Sequence, residues 1–180
     1  MARDRTECFE SPAKRKRKRL NQNFRLSTIV VITTTTTTKE NAMLTQANLN
    51  QFTGTEGYHL FNGMFRNFVA TDGAIHVAKE GGAYWLLEAI ASHIATNGKL
   101  RVGPLADMQF WKLESKTLKS GPNKGSKRWE LSCRMDSDMP PVVTQKIEFS
   151  DFPLDSIDLW VAPSMMGDRK VWVIYLPSEH

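Results

Sequence analysis

The sequence predicts an α+β domain, with N-terminal helices packed on one face of a curved antiparallel sheet of about five strands. Three observations predict it. Apolar residues recur at helical spacing before Pro104, and the period changes to two beyond it. The later segments are joined by links too short for a helical crossover, which implies antiparallel pairing.

Taken in order, Thr45 caps a short helix reaching Gln51. Residues 65–71 read as a strand ending in Asp72-Gly73, a turn or N-cap signal, and a helix follows over 73–80. Gly81-Gly82 breaks that helix. A stronger one spans 83–97, with Ala83, Leu87, Ile90, Ala91 and Ile94 on one face and Gly98 as its stop. Strands are predicted over 108–115, 128–135, 142–150, 158–162 and 170–176, separated by Gly/Pro/Lys-rich, Pro-Pro, Phe-Pro and Met-Gly-Asp breaks. Cys133 alternates with Trp129, Leu131 and Met135, so it is expected on an apolar face as a small hydrophobe. That usage implies a reducing, cytoplasmic compartment. No apolar run approaches the roughly 18 to 20 residues of a membrane helix.

The chain carries 24 basic and 19 acidic residues, and the excess is unevenly placed. Residues 1–42 hold ten Lys/Arg against four acids, which leaves the other 138 residues near neutral. These first 42 residues contain a basic run, 14–19, and a wholly β-branched stretch, 28–38, with six consecutive threonines. Two readings stand: a disordered basic arm, or an over-extended reading frame that is not translated. The second draws on Lys39-Glu40, whose codons can be AAG-GAG, a purine-rich ribosome-binding sequence placed two codons before Met43. The domain is therefore expected to span 43–180. A secretory signal is excluded, because Ile29-Val30-Val31-Ile32 is too short for an apolar signal core.

Several motifs occur in a fixed order: Phe52-Thr53-Gly54-Thr55-Glu56, Thr71-Asp72-Gly73, Gly82-Ala83-Tyr84-Trp85-Leu86-Leu87, Trp111-Lys112-Leu113, Pro140-Pro141-Val142-Val143-Thr144-Gln145, Asp151-Phe152-Pro153-Leu154 and Leu176-Pro177-Ser178-Glu179-His180. From about Leu44 onward the chain resembles a bacterial family of unknown function, family 6876, common in cyanobacteria and often encoded near mobile elements. The resemblance implies a small stand-alone domain beginning near Met43 and brings no activity or ligand. The loop over 116–127 is longer here than in the family pattern.

No nucleophile, cofactor or phosphate-loop pattern is present; Gly81-Gly82 lacks the spacing and the preceding strand of a phosphate loop. Asp72, His76 and Glu80 share one helical stripe, read mainly as a solvated face and otherwise as a metal or acid-base pair. His93 reads as a capping or surface residue near a helix end. Gln145 interrupts the apolar face of Val143, Ile147 and Phe149, as a hydrogen-bonded bridge or a pocket floor. Tyr84 and Trp85 are expected to fill the core.

One charge feature stands out. Residues 112–128 hold Lys112, Lys116, Lys119, Lys124, Lys127 and Arg128 against Glu114 alone, a net of +5. Residues 129–180 carry four basic and nine acidic groups, a net of −5. The expectation is a non-catalytic binding or accessory domain contacting a macromolecule, with those six cations making a weak, sequence-tolerant contact with DNA or RNA. No metal or cofactor is called for. The rival is a small enzyme whose polar pocket joins the Asp72–Glu80 helix to Gln145.

Overall fold

The computed structural model describes residues 44–122, 124–136 and 138–180, all within one compact unit, residues 39–180. The readings that fall on residues 1–42, the start at Met43 included, lie outside the described residues. The elements are α1 (Gln46–Leu49), β1 (Tyr58–His59), β2 (Phe68–Thr71), α2 (Asp72–Glu80), α3 (Tyr84–Thr96), β3 (Gln109–Thr117), β4 (Lys127–Arg134), β5 (Val143–Ile147), β6 (Ser156–Met166) and β7 (Arg169–Tyr175).

The strands form one sheet in the order β1-β2-β7-β6-β3-β4-β5. Seven strands replace the expected five or so, and the sheet is mixed. β2 runs parallel to β7, with Phe68 opposite Trp172 and Ala70 opposite Ile174. The crossover this requires exists, but it is everything between them, α2 and α3 included. All other pairings are antiparallel.

Alternation sorts the strands into two faces. Trp111 and Leu113 of β3, Leu131 and Cys133 of β4, Ile157, Leu159 and Val161 of β6 and Ile174 of β7 join one buried cluster. Leu86, Leu87, Ile90, Ala91 and Ile94 of α3 and Ala74, Val77 and Ala78 of α2 belong to the same cluster. The intervening residues face the other way. There a smaller cluster of Val69, Val171, Val173 and Tyr175, with Trp160 and Met108 against it, draws no residue from the three helices.

Local details depart from expectation in four places. β4 ends at Arg134, so Met135 leaves the apolar face and is exposed. β5 ends at Ile147, which turns Phe149 out to solvent. Tyr84, at the first position of α3, is exposed rather than core. Gly98 does not take a left-handed stop; α3 ends at Thr96, and its C-cap Asn97 has a side chain that accepts from the Lys99 N–H and leads the chain into a 3-10 turn, Gly98–Arg101.

A wholly buried amide ties that turn to the sheet. Gln109 donates Nε2–H to the carbonyls of Leu100 (2.7 Å) and Leu105 (2.9 Å), and its Oε1 accepts from Trp111 Nε1 (3.0 Å). Every polar atom of the amide has a partner, the condition under which a polar group can sit in a core.

Cys133 has no solvent exposure, and burial pushes its thiol up to about 12. Cys133→Ala is expected to cost about 1 kcal/mol, as for small core truncations. A thiol reagent should label Cys133 in the native protein only as fast as the domain unfolds, whatever happens at Cys8; prompt labelling of Cys133 would contradict its burial.

Candidate functional site

The β3–β4 hairpin brings the basic residues together, though not as six free cations. Lys116 faces Arg128 directly across the hairpin. Opposed like charges destabilise a sheet, and here two carboxylates compensate: Lys116 Nζ lies 2.8 Å from Glu130 and 3.1 Å from Glu114. Those hydrogen bonds, Glu130's first, raise the Lys116 pKa. Lys127 donates to Asp155 at 2.6 Å and lowers that carboxyl's pKa. Among the described residues, Lys112, Lys119, Lys124 and Arg128 form no ion pair. The hairpin thus offers fewer unpaired cations than its composition implies.

At the tip, Leu118 N–H donates to Ser126 O and Gly125 N–H to Leu118 O, each at 2.9 Å. Gly121 and Gly125 take positive φ of 92° and 90°. Their freedom sets the turn geometry here. Lys119 and Lys124 are exposed on this tip.

On the sheet face that receives no α-helix among the described residues, two rows of side chains lie side by side. One runs Arg134, Phe110, Trp160, Tyr175 across β4, β3, β6 and β7; the next runs Ser132, Lys112, Asp158 across β4, β3 and β6. Phe110 and Trp160 stand nearly perpendicular, centroids 5.1 Å apart. Tyr175 and His180 back Trp160 edge-on at 6.2 and 5.2 Å. Phe110, Lys112, Arg134, Asp158, Trp160 and Pro177 line a groove of about 710 Å³ here, with Glu114 and Asp136 also on its wall. Of these, only Lys112 is among the candidate site residues of the sequence. Phe110 and Trp160 carry a usable signal: they are aromatics at strand positions whose parity otherwise holds Lys112, Glu114 and Asp158.

The Asp72–His76–Glu80 stripe is half-buried, not a plain solvated face. Asp72 Oδ2 accepts from Thr55 Oγ1 (2.9 Å) and the N–H groups of Glu56 (2.8 Å) and Gly57 (3.1 Å), while Oδ1 meets His59 Nε2. These bonds, His59's foremost, hold the Asp72 carboxyl far below its usual range. A carboxylate so engaged anchors loop 55–59 and is poorly suited to carry protons. The sign follows: its contribution is complete above the ordinary carboxylate range and fades as pH falls below it. Asp72→Asn should therefore lose less Tm than the unmodified protein as pH falls from about 5 to about 2; equal losses would exclude the anchor. His76 packs its ring on Phe52, centroids 5.0 Å apart, with Nε2 buried. Among the described residues, no three His, Cys, Asp or Glu side chains group as a metal site requires.

Gln145 lies on β5, while Asp72 follows β2. Five inter-strand spacings separate those strands, about 24 Å along the sheet. Asp72 and Gln145 are therefore not brought together. Gln145 is a bridge: its Oε1 takes a hydrogen bond from His93 Nε2 at 2.7 Å, and the His93 ring stacks on Trp111. His93 therefore ties α3 to the sheet, a role beyond surface capping.

Motifs far apart in sequence meet at the start of α2. Thr71 is the N-cap and donates Oγ1–H to Glu179 Oε2 at 2.6 Å; Glu179 also accepts from the N–H groups of Gly73 and Leu176, at 2.9 and 3.0 Å. Asp72 is thus the first helical residue, one place before the expected boundary. Among the described residues no helix is long and apolar enough to cross a membrane.

Compared with curated proteins and with solved structures, the chain shows no match to either. A family model matches residues 43–180, the span that holds every motif meeting at the α2 start and around the groove, and the chain belongs to that family, the family of unknown function DUF6876.

Proposed function

We propose that this chain is a non-catalytic binding domain that contacts a nucleic-acid backbone through the β3–β4 hairpin. One observation carries the reading. Lys112 and Arg128 lie on the helix-free face of the sheet, and Lys119 and Lys124 extend that charge to the hairpin tip, none of the four held in an ion pair among the described residues. Among the described residues α2 and α3 pack on the opposite face, which supports placing a partner on this one. Lysines act on phosphate as point charges without the planar fork of arginine, so the contact is tolerant of sequence.

The salt dependence follows from counting. Four cations neutralising four phosphates contribute to log affinity against log salt a slope of about −3.6 on duplex and about −2.8 on single strands. Replacing residues 118–126 by Asn-Gly keeps Thr117 opposite Lys127 and removes Lys119 and Lys124. The shortened hairpin is expected to make the slope shallower by about 1.8 on duplex, the share of the two lysines removed. Anisotropy titrations of labelled oligonucleotides, at several salt concentrations, measure both. No binding at low salt, or the same slope for both proteins, would refute the reading.

A further inference from the structure

We infer that the groove on the helix-free face is a nucleobase site, seating one unpaired base of a single-stranded nucleic acid against Phe110 and Trp160. This rests on the backbone-contact reading above and names the form of nucleic acid preferred. Phe110 and Trp160 are directly opposed across β3 and β6, and their rings meet at 84°. Perpendicular rings make a two-walled corner rather than a closed stack, so a third flat ring can lie against one wall with its edge toward the other. Both side chains are partly exposed, and Tyr175 and His180 brace Trp160 from behind. The corner is consequently built before anything enters it.

The charges around the corner fit a nucleotide. Arg134 is the β4 neighbour of Phe110 in the same row; Lys112 is two residues along β3 on the same face. Two cations therefore flank the aromatic corner where the phosphates on either side of a stacked base would pass. Arg134 already gives one N–H to the Met139 carbonyl at 3.0 Å, which fixes the guanidinium and leaves further donors. The groove also contains acid. Glu114 is engaged by Lys116, and Asp136 lies on the wall. Asp158 stands across from Lys112, exposed, at the groove edge. A carboxylate there repels phosphate but accepts N–H groups from a base edge. Guanine alone carries two adjacent N–H donors that a carboxylate can accept together. A cationic peptide side chain would suit the aromatic walls and Asp158, but Lys112 and Arg134 oppose it.

A base inside a duplex presents no free face, so the site selects single strands. The test uses the full chain, a labelled oligo-dT strand, the same strand with a single dG, an abasic strand of equal length, and the duplex. The dG strand should bind about ten-fold tighter than the abasic one, since both carry the same phosphates but only one can stack. Phe110→Leu should abolish that ratio while leaving abasic and duplex affinity unchanged; circular dichroism and thermal melting confirm its fold. Asp158→Asn should remove an advantage of about five-fold for dG over dT. Equal binding of base-bearing and abasic strands, or an unchanged ratio in Phe110→Leu, overturns the base site while the backbone reading survives. A ratio that persists in the shortened-hairpin protein with an unchanged salt slope keeps the base site and overturns the hairpin. Preference for an oligolysine peptide over every strand overturns both.

Discussion

Gln109→Leu is expected to destabilise the folded chain by about 4 kcal/mol, the largest effect of any single substitution considered. Leucine fills nearly the same volume, so little of the loss comes from a cavity. It comes from three groups left without partners: the Leu100 and Leu105 carbonyls and the Trp111 indole N–H. Gln109 has no exposure and Trp111 has 1%. Water cannot take over the lost bonds without opening the core, and each unsatisfied buried group costs about 1 to 3 kcal/mol. Denaturant unfolding at constant slope measures the change. Gln109→Glu distinguishes hydrogen bonding from shape, since as a buried neutral acid it keeps the acceptor for Trp111 and offers one O–H donor in place of two N–H donors. A loss under about 1 kcal/mol for Gln109→Leu would mean that the carbonyls find other partners.

The amide clamp shows why part of this structure was readable in advance and part was not. Helical spacing identified α2 and α3, and alternation identified β3, β4 and β7 to within a few residues, because both signals are local. The partner of β2 is not a local property. Phe68 to Thr71 pairs with a strand a hundred residues later, and nothing in either segment's period encodes that choice. Two-residue β1 is shorter than one period of any pattern. Gln109 reads as one more polar residue at a strand start, because its partners lie in a turn with no regular repeat.

The candidate site divides the same way. The six basic residues were visible as a charge run, but Glu130 and Asp155, which engage Lys116 and Lys127, come from other segments. The Phe110–Trp160 corner joins two strands fifty residues apart, and only the β3–β6 register brings the rings together. The motif residues around Thr71-Asp72-Gly73 were visible as motifs. Their common purpose, seating Glu179 and loop 55–59 at one helix start, needed the fold.

Gly73→Ala tests that purpose, and its expected sign opposes helix propensity. Gly73 lies in the first turn of α2, where alanine would ordinarily help by up to about 1 kcal/mol. Its φ is not in the left-handed region, so backbone strain is no objection. Space is the objection. A β-carbon at Gly73 would sit 2.6 Å from Glu179 Oε2 and 2.7 Å from Leu176 Cδ1. Leu176 is buried and cannot retreat into solvent. Glu179 would have to swing away, giving up its bonds to Thr71, Gly73 and Leu176 and withdrawing a negative charge from the positive end of the helix. We expect a net loss of about 3 kcal/mol, the sum of overpacking and lost capping. Glu179→Ala alone should cost less, and in the Gly73→Ala background it should cost almost nothing, because the carboxylate has already left. Additive losses in that double-mutant cycle would place Glu179 elsewhere, and a stabilised Gly73→Ala protein would show that the helix start has room to spare.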